Sequence, residues 1–316
     1  MFTLIKYIPT QPKIDFLSRR NVFAVFSVIL FVGSIGLFFV QGLNFGVDFR
    51  GGILIEARTD GPADLAELRS TLGGLALGEV TLQEFGQPTD VLINVQRQEG
   101  DEAEQIKAIQ IVKEALGSQV VEYRRTEFVG PKVGGELKRA GLLATVLALA
   151  AIGVYIWFRF EWQFGAAALI ALIHDVVATI GFYALTQIEF NLATLAAVLT
   201  IAGYSINDTV VLFDRVRETL RKYKKLPITQ LLNMAINGTL TRTLLTSVTT
   251  LLALISLFLF GGEVIRGFVA GLIWGVVIGT YSSVGLAVPL LMRMNLRTSA
   301  MSQEEDEEQK AAPEKA

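Results

Sequence analysis

Apolar residues in this chain come in blocks. Positions 22–40 are broken only by Ser27, Gly33, Ser34 and Gly36, and a helix needs roughly 20 apolar residues to cross a hydrocarbon core. Comparable blocks cover 141–158, 164–185, 192–213, 244–260 and 267–291, so the pattern predicts six membrane spans. Five spans would require two of the later blocks to be buried helices, against which their length argues. The first block is too long for a secretion-signal core, and no small-residue cleavage site follows it; it is expected to be a retained anchor.

Between the first and second blocks the period changes. The insert 44–135 reads as strand, helix, strand, strand, helix, strand. Positions 52–59 are apolar and β-prone, and 62–72 is a helix with Pro62 in its first turn and acids early. Positions 79–85 and 91–97 alternate around a Gly-Gln-Pro-Thr-Asp turn. Positions 101–116 open on acids and repeat Ile106, Ile109, Val112 and Leu116, and 119–128 is a last strand. That order is the βαββαβ unit of ferredoxin-like folds. The segment 227–240 places Ile228, Leu231, Leu232, Ala235 and Ile236 at helical spacing, which predicts an amphipathic helix lying along the cytoplasmic membrane surface. The tail 298–316 is acidic, lacks an apolar pattern and is expected to be disordered.

The expected fold class is therefore an α-helical integral membrane protein with one α+β domain outside the lipid. Positive charge predicts its orientation. Lys6, Lys13, Arg19 and Arg20 precede the first span, Arg159 follows the second, Arg215, Arg217, Arg221, Lys222, Lys224 and Lys225 follow the fourth, and Arg293 and Arg297 follow the sixth. With six spans all of these fall on one side. The expectation is a cytoplasmic N-terminus 1–21, a first span 22–43, an insert facing the outside, five further spans within 136–297 and a cytoplasmic tail. The 316 residues are 52% hydrophobic with a net charge of −2 and no cysteine. That balance points away from nucleic acid and excludes disulfides and thiolate metal sites. No cofactor or metal site is expected.

An ionisable side chain at mid-membrane costs roughly 2.5–3.5 kcal/mol on insertion scales, so each one is a functional candidate. Asp208 lies in the fourth span, with Tyr204 and Ser205 one turn earlier on the same face and Asn207 beside it. Arg242 opens the fifth span, followed at i+4 and i+7 by Thr246 and Thr249. The expectation is an Asp208–Arg242 pair, direct or through water. His174, the only histidine, and Asp175 sit near the middle of the third span, where they are either half of a proton relay or a structural hydrogen-bonded pair. Gly267, Gly271, Gly275 and Gly279 form a row on the sixth span that lets another helix approach closely.

Five stretches carry a resemblance. They are GLNFGVDFRGG at 42–52, ALIHDV at 171–176, GYSINDTVVLFDRVRE at 203–218, TRTLLTSVTT at 241–250 and GTYSSV at 279–284. Together, and in this order, they resemble the SecF family of the bacterial Sec protein-export machinery. The resemblance implies half of a pseudo-symmetric twelve-helix unit, similar to resistance-nodulation-division transporters. It also implies an obligate SecD partner that supplies a further intramembrane acid, association with the SecYEG channel, SecA and YajC, and a place in the bacterial inner membrane. Asp208 and Arg242 match the family's proton-pathway positions, and Asp48, Phe49, Arg50, Gly51 and Gly52 match its link from membrane to exported domain. The implied function is proton-driven promotion of polypeptide translocation, not catalysis. Three alternatives remain: a structural scaffold subunit, a small-molecule exporter, and an aspartyl protease using Asp175 and Asp208. The insert is small for a drug-binding domain, and the protease lacks its glycine context, since Asn207 precedes Asp208.

Overall fold

A computed structural model describes residues 12–78, 80–294 and 296. The tail 298–316, Lys6 and Arg297 lie outside them. Six helices are long and apolar enough to span a membrane: α1 (Arg20–Val40), followed after the insert by α5 (Pro131–Arg159), α6 (Trp162–Thr186), α7 (Leu192–Lys222), α8 (Ile228–Phe260) and α9 (Arg266–Ser282). A π turn at Ser283–Ala287 and a short α10 (Val288–Met292) complete the last span. Pro289 has no amide to give the preceding turn, a common cause of such a break. The chain buries α6 and α9 most deeply. In contrast, α1, α5 and α8 keep broad apolar faces outward, with Val28, Val146, Leu147, Leu252 and Leu259 all more than half exposed.

The insert holds a short α2 (Val47–Arg50), then β1 (Gly52–Thr59), α3 (Leu65–Gly73), β2 (Val80–Phe85), β3 (Gln87–Val95), α4 (Glu102–Leu116) and β4 (Val120–Val129). The sheet order is β2-β3-β1-β4, with every neighbouring pair antiparallel. This is the split βαβ arrangement the pattern implied. Asp64 caps α3 by accepting from the amides of Ala66 and Glu67, and Asp101 caps α4 through Ala103, each satisfying a donor left free at a helix start. One sheet face packs on both helices through Ile53, Ile55, Leu72, Ile93, Val112 and Leu116. The other carries Glu56 and Asp90, with Asp90 held by Arg58 at 2.8 Å and Arg124 at 2.7 Å. The turn between β2 and β3 is tighter than expected: Gly86 alone separates the strands, at φ +84°. Gln87 to Asp90 therefore belong to a strand.

Two boundaries differ for physical reasons. Hydrophobicity marks where lipid ends, not where a helix ends, so α7 runs about two and a half turns past Phe213 and α5 starts ten residues before its apolar block. The segment expected on the membrane surface is the first part of α8, continuous with the fifth span. Its apolar face is buried in protein: Leu231, Leu232, Ala235 and Ile236 pack with Leu17, Phe213 and Leu220. Two asparagines one turn apart hold the N-terminal strap against it. Asn233 Oδ1 accepts from the amides of Phe16 and Leu17, while Asn237 accepts from and donates to the backbone of Ile14.

Close approach of α9 to its neighbours depends on glycine. A Cβ at Gly271 would lie 1.9 Å from the Tyr183 hydroxyl, at Gly275 2.2 Å from Ile201, and at Gly279 3.0 Å from Ser205. Likewise α1 meets α6 where a Cβ on Gly181 would strike Ser34 at 2.2 Å. Gly275→Ala should therefore lower stability by about 1–3 kcal/mol through overpacking, read as a reduced thermal midpoint in lipid nanodiscs. Gly33→Ala, with no atom within 4 Å of the added Cβ, should leave that midpoint unchanged or slightly raised.

Candidate functional site

The centre of the bundle is polar. The carboxyl group of Asp175 on α6 is fully buried. Its Oδ2 accepts hydrogen bonds from Ser205 of α7 at 2.5 Å and Ser282 of α9 at 2.6 Å, and its Oδ1 lies 2.9 Å from Nδ1 of His174. One side chain thus ties three helices. A turn further along, Thr209 of α7 meets Ser283 of the π turn at 2.9 Å. Around this core, Ser247 of α8 meets Thr280 of α9 at 2.7 Å, and Tyr281 of α9 reaches Ser27 and the Phe23 carbonyl of α1 at 2.8 Å each. Several of these hydroxyls also reach a helix carbonyl, Ser282 and Ser283 that of Gly279 and Thr280 that of Val276, so they need not face lipid alone.

Asp208 stands one turn along α7 from Ser205 and is buried, at 5% exposure. Its Oδ2 has no hydrogen-bond partner among the described residues, and neither does the buried hydroxyl of Tyr204. Arg242 of α8 is near enough to act on Asp208 electrostatically. The direct form of the expected Asp208–Arg242 pair is not made: no ion pair joins them within 4.0 Å among the described residues. Arg242 is exposed on the outer face of α8, and Thr246 bonds back to its own helix at the carbonyls of Arg242 and Thr243. Asn207 is also exposed, in an outward stripe of α7 with Ala193, Ala196, Thr200 and Gly203. Asp175 and Asp208 make no hydrogen bond to each other, so the shared proton of an aspartyl dyad has no counterpart here. Sequence reasoning had put Ser205 on the Asp208 face and assigned Ser282 no role. The Ser-Ser pair of GTYSSV was the available signal for it.

The link from membrane to domain is bonded to the same helix. Asp48 Oδ2 accepts from the amide of Leu192, the first residue of α7, at 2.9 Å. The amide of Gly46 donates to the Phe190 carbonyl, and that of Phe190 to the Asn44 carbonyl, so 44–46 is zipped to the α6–α7 loop. Phe49 stacks on Phe190 with centroids 6.0 Å apart, and Arg50 is exposed. Gly51 and Gly52 then turn the chain into β1 at φ +73° and +133°, angles that side chains other than glycine rarely adopt. A Cβ on Gly52 would also meet the Val95 carbonyl at 2.9 Å. Leu192 and Asp208 share one unbroken helix, about 24 Å apart at 1.5 Å per residue.

A half-buried acid sits against this link. Glu189, in the α6–α7 loop, packs its carboxyl on Gly46. Burial pushes its pKa up, as do the negative charges of Asp48 and Glu127, and Arg125 pulls it partly back.

These features define a class: a polytopic membrane protein whose core helix is bonded to one α+β domain outside the bundle. Residues 109–297 match the family described as protein export membrane protein SecD/SecF, C-terminal, and residues 36–63 match the SecD/SecF GG motif. The chain is 47% identical over 292 residues to protein translocase subunit SecF of Rickettsia rickettsii, covering 91% of this chain and 94% of that one. It is also 47% identical over 290 residues to the SecF of Rickettsia bellii, covering 91% and 95%. The crystal structure of SecDF, a translocon-associated membrane protein from Thermus thermophilus, superposes with a TM-score of 0.83 at 32% identity over 91% of this chain. A super-membrane-facing form of SecDF superposes at 0.67, with 32% identity over 93% of this chain. This chain spans only 39% and 40% of those two structures. The chain belongs to the SecD/SecF family of protein-export membrane proteins.

The raised pKa of Glu189 has a sign. Between the ordinary carboxylate value of 4.5 and the higher native value, the folded chain binds more protons than the unfolded one. The stability this group confers therefore falls as pH rises through that window. Hydrogen-exchange protection factors at the Gly46 and Phe190 amides should increase on acidification from neutral pH. Glu189→Gln should hold them near the acidic level and flatten the dependence.

Proposed function

We propose that this chain is the SecF half of a protein-export motor that works with a SecD subunit and draws on the proton gradient of a bacterial inner membrane. Three features support it: Asp208 buried with a free carboxyl oxygen, Arg242 within electrostatic reach, and the helix of Asp208 bonded at its far end to the domain link. The third carries the reading, because it gives a charge change inside the bundle a mechanical route out of it.

Protonation of Asp208 removes the negative charge that attracts Arg242. A proton crossing 100 mV releases roughly 2.3 kcal/mol, and one pH unit adds roughly 1.4, energies on the scale of one buried electrostatic contact. α7 then shifts against α8, and its first turn moves Asp48 and the ferredoxin-like domain with it. With both termini cytoplasmic and the domain on the far side, such a movement acts on polypeptide leaving a SecYEG channel, where SecA and YajC also belong by family. SecD packs on the outward stripe of α7, where Ala196, Thr200, Gly203 and Asn207 offer small and hydrogen-bonding groups in place of a lipid-facing surface, and supplies a second acid near Asp208.

The competing reading is a scaffold subunit that stabilises the translocon without conducting protons. Asp208→Asn separates the two, since it keeps shape and removes titration. In proteoliposomes holding the complete complex, the variant should reduce export to the level left when a protonophore collapses the gradient, with complex assembly unchanged. Arg242→Lys should recover part of the stimulation, since it keeps the charge and loses the fork. Full gradient-dependent export by Asp208→Asn would establish the scaffold.

A further inference from the structure

Besides Asp208 Oδ2 and the Tyr204 hydroxyl, one ring nitrogen of His174 is also buried without a hydrogen-bond partner among the described residues. Its ring is buried at 3% exposure. Nδ1 faces Asp175 Oδ1 at 2.9 Å, and when Asp175 is ionised that nitrogen must be the donor, since a carboxylate only accepts. The opposite nitrogen, Nε2, is buried and has no partner among the described residues. Phe31 of α1 lies parallel to the ring, with centroids 6.4 Å apart and planes 12° apart. A neutral imidazole in this tautomer presents a bare lone pair at Nε2, and beside an ionised Asp175 the pair carries one net negative charge within lipid.

We propose that His174 and Asp175 form a second proton-binding site within the bundle, which receives its proton at His174 Nε2 and controls how tightly α7 and α9 are tied to α6. The inference deepens the proton-driven reading and rests on it for its purpose, although its chemistry is measured independently. One proton passes from a hydronium ion to the Nε2 lone pair: an O–H bond breaks, an N–H bond forms, and a neutral water leaves. The product is an imidazolium–carboxylate pair of zero net charge that keeps the Nδ1–H···Oδ1 bond. Asp175 then shares its charge with a full cation, and the bonds from Ser205 and Ser282 to Oδ2 weaken, since bonds to a less available charge are weaker. Because Ser205 is one turn from Asp208, loosening it frees the segment of α7 that the first proton acts on.

The titratable groups facing the pair are few. α7 brings Tyr204 beside Ser205 and Asp208 one turn away. α9 brings Tyr281, near enough to interact electrostatically with Asp175. Arg242 of α8 acts on Asp208 rather than on this pair. α1 contributes Phe31, and its one ionisable group is Arg20 at its first residue, about three turns from Phe31.

The chain has a single histidine, which permits a direct test. Ring-15N-labelled histidine is incorporated into this chain, which is purified through a histidine-free tag and reconstituted with its unlabelled partner subunit in liposomes. Solid-state NMR then follows both nitrogens between about pH 8 and about pH 5. The expected result is Nδ1 protonated throughout and Nε2 passing from bare to protonated in one transition. Asp175→Asn should move that transition to lower pH or exchange the tautomer, and Ser205→Ala should move it the opposite way by leaving more charge on Asp175. An Nε2 that never changes state in the wild-type complex overturns the proposal, as does a transition indifferent to both substitutions. Asp208→Asn keeps the two readings distinct. If it abolishes gradient-dependent export while the His174 transition persists, both stand. If export is unaffected and the transition persists, only the Asp208 relay fails.

Discussion

Inside a bilayer a carboxylate has no water to bind, and Asp175 takes its bonds from His174, Ser205 and Ser282 instead. Burying such an ion costs several kcal/mol after relaxation, and three hydrogen bonds to a charged group contribute about 1.5–3 kcal/mol each. The two sides are of similar size, so the centre is stable only while all three donors are present. That requirement fixes the relative rotation and height of α6, α7 and α9. It also explains why small residues line the contacts: hydroxyl donors with short side chains can reach one carboxyl group only if the helix axes come close. Gly279 against Ser205 and Gly275 against Ile201 provide that approach.

The same helix that donates through Ser205 carries Asp208 and begins at the amide that Asp48 accepts. The ferredoxin-like domain is therefore not a free appendage on a flexible tether. Its connection runs through a two-glycine turn, a phenylalanine cluster and the α6–α7 loop before it reaches the end of α7. Charge at the centre and position of the domain are linked by continuous hydrogen-bonded structure, with Glu189 seated where the two bodies meet. Asp208 contrasts with Asp175. One is saturated with donors, whereas the other has an oxygen without a partner among the described residues and a cation at a distance.

The six spans and the split βαβ domain were legible because each rests on a local period: runs of apolar residues for lipid, alternation for strands, and helical spacing opened by early acids for the two domain helices. The residue types of the centre were legible too, since a charged side chain in an apolar run is conspicuous wherever its partner lies. What the sequence could not supply was the pairing. Ser205 and Ser282 are 30 and 107 positions from the acid they bind, and no period connects them. Adjacent spans suggested an Asp208–Arg242 pair, direct or through water; the direct contact is not made, because Arg242 is exposed on α8. Amphipathic spacing put 228–236 on a membrane surface, but Asn233 and Asn237 bind the N-terminal strap and the apolar face closes on protein. By itself the sequence determined which segments leave water and which groups lose solvation there. Tertiary packing alone decided which of those groups meet, because hydrogen bonds between helices depend on their rotation and height, and these are set by the whole bundle at once.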